Sequence, residues 1–471
     1  MPPSKAMRNV HQRDPKSQSS TAIHQHKAPG PSRNTNIFPV PKCDLICQKW
    51  PMILRTIVRK MNHADVCMIM CVRRGRSPDP RDNITTVLVV CNSEKPPSHR
   101  EHWISKIREL LDNNYLSGVA VDCVRGDFVR GASGLNANEL DRRAIQLPSM
   151  LGQSLALNNA SGSGTLGGFL ELKMPGEAMY RTMALTCFHC VNPSETGLDR
   201  ALVKRLRVWR QEGIAPDDNM RAELQVQHPS RTAVKEKIKS LKDAIGAIEE
   251  NEEYVQLSEL EGDIESICGR SAAKAFSRMT STLCELKEFL RDIEAFKQAD
   301  RGYFGPVYAG SGFRETCSTT PSNLDWALIE IPHDRVGENI TPDGHYLKDS
   351  PLPKDLDGIP LFIYGQRSGY CRGKKDTLET AVLSHEIEEG TAITRTTYEH
   401  PIRPQGGAQF SQPGDSGSFV FTELYVVVGM LFAGGNSHMI SFFTPIGDVL
   451  NDIKTITKAV DVRLKVRPGT S

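Results

Sequence analysis

Residues 413–418 read Pro-Gly-Asp-Ser-Gly-Ser and lie between a polar stretch rich in Gln and Gly and a run of apolar residues. A serine hydroxyl acts as a nucleophile when it sits on a tight turn, and flanking glycines let the backbone bend so that successive amides point at one place. Ser416 is therefore a candidate nucleophile, and the amides of Gly414 and Ser416 are candidate donors to an oxyanion. Taken alone, the same residues also suit an ordinary β-turn.

Two further segments carry side chains that suit proton transfer. Residues 183–191 form an apolar run that contains His189, and residues 323–329 place Asp325 at the start of another apolar run. A histidine accepts a proton near neutral pH, and a carboxylate can fix its tautomer through a buried hydrogen bond. Separately, these residues could be a core histidine and a turn or cap aspartate. In the chain order His, Asp, Ser, they predict a catalytic triad with Ser416.

Cysteine spacing gives a weaker indication of metal binding. Cys43 with Cys47, and Cys187 with Cys190, have ligand-like spacing, but neither pair has a second half that would complete four zinc ligands. We therefore expect neither a metal nor an organic cofactor. A zinc-binding module on Cys187, His189 and Cys190 is the alternative, and it predicts stoichiometric metal in the purified protein.

Length and charge exclude several classes of protein. The chain has 471 residues, 39% of them hydrophobic, and a formal net charge of +2. This charge creates no field that would concentrate nucleic acid, and no apolar run approaches the roughly 20 residues that a membrane span requires. No secretory signal follows the N-terminal methionine, so we expect an intracellular protein, cytoplasmic or nuclear, with no nucleic-acid or membrane partner.

The hydrophobic pattern predicts several regions along the chain. Short apolar runs broken by Gly and Pro indicate many β-strands, whereas 3–4 spacing without proline indicates two or three helices packed as a hairpin. The hairpin is most simply a self-contained packing seam, with a partner-binding coiled coil as the alternative. The predicted regions are a disordered basic tail (1–36), a small α/β domain with the order β-β-α-β (37–125), a linker (126–154), a mainly β domain (155–455) with a helical insert at about 217–300, and a C-terminal tail (456–471).

The three motifs resemble those of the trypsin/chymotrypsin-like serine peptidases. Residues 186–190 resemble the histidine motif, residues 325–329 the aspartate motif and residues 414–418 the serine motif. The whole arrangement is similar to fungal intracellular proteins in which a trypsin-like peptidase domain follows a small α/β domain. The resemblance implies a chymotrypsin-like double β-barrel, interrupted by the helical hairpin and preceded by the α/β domain. It also implies that His189, Asp325 and Ser416 lie together in the cleft of a serine endopeptidase.

The resemblance also implies where a peptide substrate would bind. Residues 429–434 resemble the strand along which an extended substrate pairs, so Phe432, Ala433 and Gly434 are candidate substrate-binding residues. Phe410 stands where trypsin carries the carboxylate that selects basic side chains. An aromatic floor cannot neutralise a buried cation, so we expect an apolar or small side chain at the cleaved bond.

The chain departs from the family in how Asp415 would be held. No Ile-Val-Gly-Gly-like sequence opens the peptidase region, so a freed N-terminal ammonium is not expected to pair with this residue. The competing hypothesis is a binding or scaffold protein on a peptidase fold that does not turn over. The expected partners are a protein or peptide substrate and, through the helical insert, a possible second protein.

Overall fold

The structure is a computed structural model of the chain. It describes residues 35–61, 65–92, 100–130, 140–158, 160, 162–260, 263–349, 351–353, 355–388, 391–405, 409–435 and 440–465. The helices within these ranges are α1 (Leu45–Lys60), α2 (Arg100–Asp112), α3 (Arg200–Glu212), α4 (Arg231–Glu249), α5 (Glu252–Ser258), α6 (Ile264–Cys268), α7 (Arg270–Gln298) and α8 (Ile446–Thr457).

The strands form two sheets, and the protein is mainly β. The strands of the first half are β1 (Asn36–Phe38), β2 (Val66–Gly75), β3 (Ile84–Cys91), β4 (Ala120–Arg125), β5 (Ser154–Leu157), β6 (Gly164–Thr165), β7 (Gly168–Lys173), β8 (Tyr180–Thr186) and β9 (Gln225–Gln227). Those of the second half are β10 (Tyr303–Gly310), β11 (Ala327–Glu330), β12 (Pro360–Gly365), β13 (Gly369–Lys375), β14 (Thr380–Glu388), β15 (Thr391–Pro404), β16 (Phe419–Thr422), β17 (Val427–Gly435), β18 (Ile440–Pro445) and β19 (Asp461–Leu464).

One sheet has eleven strands and contains a closed ring. Its order is β13-β12-β16-β17-β18-β15-β14-β2-β3-β4, with β1 beside β2. Because β13 also pairs with β15, six of these strands close on themselves around a core that includes Leu361, Ile402 and Phe410. The other sheet has eight strands in the order β19-β7-β8-β11-β10-β9-β5-β6.

The α/β region at the N-terminal side is part of the eleven-stranded sheet. Strand β2 pairs with β14, where Ile69 lies opposite Ala381, so the sheet continues from this region into the closed ring. Alternate side chains of β2 point to opposite faces, as strand geometry requires. Ile69 packs in the cluster under α1 and α2, whereas Met68 and Met70 pack in the main core. Both faces of this part of the sheet are therefore buried.

Helix α1 was not expected from the sequence, although its signals are local. Asp44 caps its N-terminus by accepting from the Ile46 amide, and the buried residues Ile46, Trp50, Ile53, Leu54 and Ile57 follow at helical spacing. The elements β2, β3, α2 and β4 follow in the expected β-β-α-β order, and β3 and β4 are parallel, as a helical crossover allows.

Residues 231–298 form four helices, of which α4 and α7 pack against each other. Their apolar faces share a small core that includes Leu241 and Ile293, closed by Ile145 from the preceding region. Ion pairs such as that of Lys242 with Glu294 join the outer edges of the two helices. This packing accounts for the 3–4 spacing of apolar residues in the sequence.

The end of the chain differs from the expected tail. Residues 456 and 457 complete α8, and β19 then pairs with β7, with Leu464 opposite Leu170 and both side chains fully buried. The apolar side chains of this short segment explain why it packs on the eight-stranded sheet. Among the described residues, the helices lack the combination of length and hydropathy that crossing a bilayer demands.

Candidate active site

One pair of neighbouring strands brings His189 and Asp325 together. Strands β8 and β11 are antiparallel with Thr186 opposite Ala327, so the carboxyl end of β8 lies beside the amino end of β11. His189 follows β8 in a single 3₁₀ turn (Phe188–Val191), and Asp325 precedes β11. The apolar residues of both strands are buried, which fixes their register and hence this juxtaposition.

The Asp325 carboxylate holds His189 at two points. Its Oδ1 accepts from the backbone amide of His189 at 2.9 Å, and its Oδ2 lies 2.8 Å from Nδ1 of the imidazole. Asp325 is fully buried, and the side chain of His189 is only 7% exposed. Nε2 is also buried and has no hydrogen-bond partner among the described residues. The carboxylate thus fixes the ring so that Nε2 is the nitrogen available to a reacting group.

The surroundings change the proton affinity of these side chains. Burial alone would lower the pKa of His189, but the Asp325 carboxylate and the adjacent Cys190 raise it to about 10. Burial would raise the pKa of Asp325, whereas the charge and hydrogen bonds of His189 bring it below its usual value. The site therefore favours the imidazolium–carboxylate pair, which is the state that follows proton transfer to a histidine.

The turn that carries Ser416 needs glycine on both sides. Gly414 has a φ of 107° and Gly417 a φ of 101°, which residues with a side chain rarely adopt. A Cβ on Gly417 would lie 2.4 Å from the carbonyl oxygen of Thr165, so the turn also approaches a neighbouring strand too closely for any side chain.

Asp415 holds the same turn from the inside. Its Oδ1 accepts from the amides of Arg367 and Ser368 at 2.8 and 3.1 Å, and its Oδ2 accepts from the Gln412 amide at 2.8 Å. Burial raises the pKa of Asp415, and these hydrogen bonds oppose that rise. The Asp415 carboxylate is therefore bound by backbone amides in place of the N-terminal ammonium, for which the sequence contains no motif.

Strand β6 joins the histidine segment to the serine segment. The Thr165 amide donates to the Ser416 carbonyl at 2.8 Å, and the Thr165 carbonyl accepts from Thr186 Oγ1 at 2.8 Å. Cys190 Sγ lies 3.8 Å from the Ser416 carbonyl oxygen. Cys190, which follows His189, is thus in direct contact with the backbone of Ser416.

A small cavity of about 30 Å³ lies beside Ser416. Its lining includes Phe410, Ala433 and Gly434, three of the four residues predicted to bind substrate. The fourth, Phe432, accepts a hydrogen bond from Ser416 Oγ at 3.3 Å through its carbonyl. Phe410 is almost fully buried and packs in the core of the closed ring.

Sequence reasoning missed the residues that hold the aspartate segment. Glu399 on β15 is fully buried, and its Oε1 accepts from the backbone amide of Asn323 at 3.0 Å and from its side-chain amide at 2.7 Å. Thr444 Oγ1 donates to the Asn323 carbonyl at 2.8 Å. Nothing in the polar sequence around Glu399 indicates burial, whereas Asn323 stands within the motif and could have been singled out.

Ligand-type atoms of Cys187, His189 and Asp325 lie within 4.8 Å of one another. This set differs from the zinc alternative considered from the sequence, which used Cys190 in place of the carboxylate. Cys187 Sγ donates to the Leu431 carbonyl at 3.2 Å, and burial raises the pKa of this thiol well above its ordinary value. The imidazole Nδ1 of His189 lies 2.8 Å from Asp325 Oδ2, so these side chains also take part in hydrogen bonds within the protein.

Comparisons with known proteins give distant structural likenesses. No protein-family model and no curated protein matches the chain. Protease A of Thermobifida fusca is 11% identical over 68% of this chain and 98% of its own, with a TM-score of 0.29. A glutamic acid specific serine protease is 10% identical over 67% and 100%, with a TM-score of 0.29. Nocardiopsis protease is 11% identical over 67% and 98%, with a TM-score of 0.30. Likenesses at this level establish neither the family nor the activity of the chain.

Proposed function

We propose that the protein is a serine endopeptidase with the triad His189, Asp325 and Ser416. The observation that carries the proposal is the two-point contact of the Asp325 carboxylate with His189. In the neutral form of the imidazole it leaves the buried Nε2 as the acceptor of a proton, next to a glycine-flanked serine turn that Thr165 joins to the end of β8. These are the roles that acyl transfer through a serine requires.

The reaction proceeds through an acyl-enzyme. Ser416 Oγ turns from the Phe432 carbonyl and attacks the peptide carbonyl carbon, while its proton passes to Nε2 of His189. The C–N bond then breaks, and the imidazolium delivers that proton to the leaving amine nitrogen. Water attacks the resulting ester, again losing a proton to His189, and the hydroxyl of Ser416 is restored as the acid leaves. Asp325 stabilises the imidazolium in both halves.

The amides of Gly414 and Ser416 are the donors to the oxyanion in this proposal. The carbonyl of Gly414 is held on the opposite side by Thr165 Oγ1 and by Gln366 Nε2, each at 2.9 Å. Fixing that carbonyl orients the serine turn before a substrate arrives. One well-aimed donor of this kind contributes about 3 kcal/mol to transition-state stabilisation.

The proposed fold places this chemistry between two barrels of a chymotrypsin-like peptidase. In this proposal the closed six-stranded ring corresponds to the barrel that carries Ser416, and the eight-stranded sheet corresponds to the barrel that carries His189 and Asp325. Helices α4 to α7 are the helical insert, since they lie between β9 and β10 of that sheet. The small volume of the cavity over Phe410, about 30 Å³, supports a small side chain at the cleaved bond in this proposal.

A fluorophosphonate probe tests the proposal directly, because it reacts only with a serine that is activated by a base beside an oxyanion hole. We expect the unaltered protein to gain one covalent probe molecule and Ser416→Ala to gain none, as measured by intact mass. Ser384→Ala, which removes a serine on β14 outside the site, is the matched control and should label like the unaltered protein.

To test for cleavage of peptide bonds, a proteome is incubated with the unaltered protein or with Ser416→Ala, and the new peptide termini in the two samples are compared. New termini that depend on Ser416 support an endopeptidase with a small residue at the bond. If the unaltered protein gains no probe at either neutral or alkaline pH, the peptidase proposal is wrong and the non-catalytic scaffold is favoured.

A further inference from the structure

The chain places its own residues 126–130 along the edge of β17, next to the proposed nucleophile. The Val129 amide donates to the Gly434 carbonyl at 2.8 Å, and the Gly434 amide donates to the Val129 carbonyl at 3.0 Å. This two-bond antiparallel pairing is how an extended peptide adds to an exposed strand. Val129 also lines the cavity beside Ser416.

The direction of this segment is that of a peptide approaching the serine. Because the pairing is antiparallel, the residue after Val129 advances from Gly434 toward Phe432. The Phe432 carbonyl accepts from Ser416 Oγ. A peptide bound in the same way therefore presents its C-terminal part to the nucleophile.

Arg130 occupies a built pocket between three side chains. Its guanidinium lies 4.6 Å from the centre of the Phe313 ring, donates to Asn323 Oδ1, and has its Nε 3.8 Å from Asp325 Oδ2. Asp325 is fully buried and Asn323 is 5% exposed, so both acceptors belong to the rigid part of the site. An aromatic face, an amide oxygen and a carboxylate together select a guanidinium.

A second contact fixes the other end of the segment. The ring of Phe128 lies against Phe432 and Phe442, with centroid distances of 6.4 and 5.8 Å. Aromatic contacts of this kind add to the area that each ring buries. The segment thus pairs with the edge of β17 through its backbone. On either side of Val129, the side chains of Phe128 and Arg130 each contact a separate group of residues.

We propose that residues 126–130 are an internal peptide ligand of the candidate site, and that the Phe313–Asn323–Asp325 pocket is a subsite for arginine. The external ligand is an extended peptide with an aromatic residue two positions before an arginine, and it must displace the internal segment to bind. The inference rests on the proposed function, because it takes the strand edge beside Ser416 as a substrate edge.

Peptide binding in the full-length Ser416→Ala protein tests the inference without any turnover. The probe is the fluorescently labelled peptide Gly-Asp-Phe-Val-Arg, and the readout is anisotropy. In this background, Val129→Pro removes the amide that donates to Gly434, whereas the matched control Val129→Ala keeps it. We expect the probe to bind the proline variant at least about tenfold more tightly than the alanine variant. Equal affinities would overturn the inference.

A second pair of variants guards against misfolding by the proline. Arg130→Glu places a carboxylate against Asp325 and should expel the segment, whereas Arg130→Lys keeps the positive charge. We expect tighter probe binding to the glutamate variant only. A peptide with glutamate in place of its arginine should bind each opened variant at least about tenfold more weakly. If the arginine and glutamate peptides bind the opened variants with equal affinity, the proposed arginine subsite is wrong.

Fluorophosphonate labelling of the same variants with Ser416 intact separates the two proposals. Faster labelling of Val129→Pro and Arg130→Glu than of their controls supports both. Equal labelling of all forms, with no difference in probe binding, leaves the peptidase and overturns the internal ligand. If nothing labels but the probe still binds only the opened variants, the peptidase fails and the peptide-binding edge stands.

Discussion

The imidazole of His189 sits where two acidic groups act on it. Asp325 contacts Nδ1 directly, and Cys190 follows in the same turn, close enough for the thiol to affect the ring. Although burial raises the pKa of this thiol, the neighbouring Cys187 and the charge of His189 lower it to about 6. The proton affinity of the proposed general base therefore depends on a cysteine that the chemical mechanism does not use.

This arrangement predicts an alkaline pH dependence. Only the neutral imidazole can accept the Ser416 proton, and Asp325 and Cys190 hold the pKa of His189 above its ordinary 6.5. The fluorophosphonate labelling rate should therefore rise with pH, by about tenfold per unit below that pKa, and level off only above it. Labelling rates between about pH 5 and pH 11 on unaltered protein measure the midpoint.

Cys190→Ala is the matched variant for this profile. Removing the thiol takes away one of the groups that raise the pKa of His189, so the midpoint should move to lower pH while Asp325 still holds the ring. Circular dichroism at each pH checks that the fold persists. A midpoint at or below 6.5 in the unaltered protein would contradict the expected influence of both neighbours.

Among the elements, β15 supports the candidate site without contributing a residue of the proposed triad. It closes the six-stranded ring through β13 and β18, and its Glu399 reaches the segment that precedes β11. The position of Asp325 therefore depends on a carboxylate from the other sheet. Burial raises the pKa of Glu399, so an uncharged acceptor is a fair substitute for it.

Glu399→Ala should weaken both the fold and the site. It leaves two donors of Asn323 without their acceptor in a buried place, at a cost of about 2–4 kcal/mol in the free energy of unfolding. Glu399→Gln keeps the Oε1 acceptor and should lie within about 1 kcal/mol of the unaltered protein. Urea unfolding of both variants measures the effect on the fold, and the fluorophosphonate labelling rate measures the effect on the site. Equal stability of the two variants would show that Asn323 does not depend on this carboxylate.

The contrast between Asp325 and Glu399 shows what sequence can predict. The aspartate adjoins an apolar run and stands in chain order with His189 and Ser416, so the role proposed for it follows from local patterns. Glu399 and Thr165 make contacts between the two sheets. Such contacts depend on the order of the strands, which the alternation of apolar and polar residues along a strand does not encode. Helix α1 is a different omission, since its cap and apolar spacing were present in the sequence.

On the scale of the whole molecule, β2 and β14 connect regions that composition alone separates. Trp50 of α1 donates its ring N–H to the Glu379 carbonyl at 2.8 Å, just before β14. Ala381 and Leu383 of β14 pack in the same cluster as α1 and α2. The α/β region therefore covers an apolar face and a strand edge of the C-terminal half.

Removing residues 1–125 should make the remaining chain aggregate. The deletion leaves β14 without its β2 partner and uncovers its apolar side chains, and an unpaired apolar edge is a template for association. Size-exclusion chromatography of the purified chain measures the outcome. A chain that lacks only residues 1–34 is the control and should elute as the full-length protein does. A monodisperse protein that starts at residue 126 would contradict this dependence.

The pairing of Ile69 with Ala381 also governs how the protein can be made. On the ribosome, β2 emerges long before β14, and at ordinary rates of translation the interval is on the order of tens of seconds. Throughout that interval the part of β2 that pairs with β14, at Met68 and Ile69, has no native neighbour on that edge. Folding of this part of the sheet is therefore completed only after the C-terminal half has been synthesised, and until then the exposed strand edge is open to association with other chains.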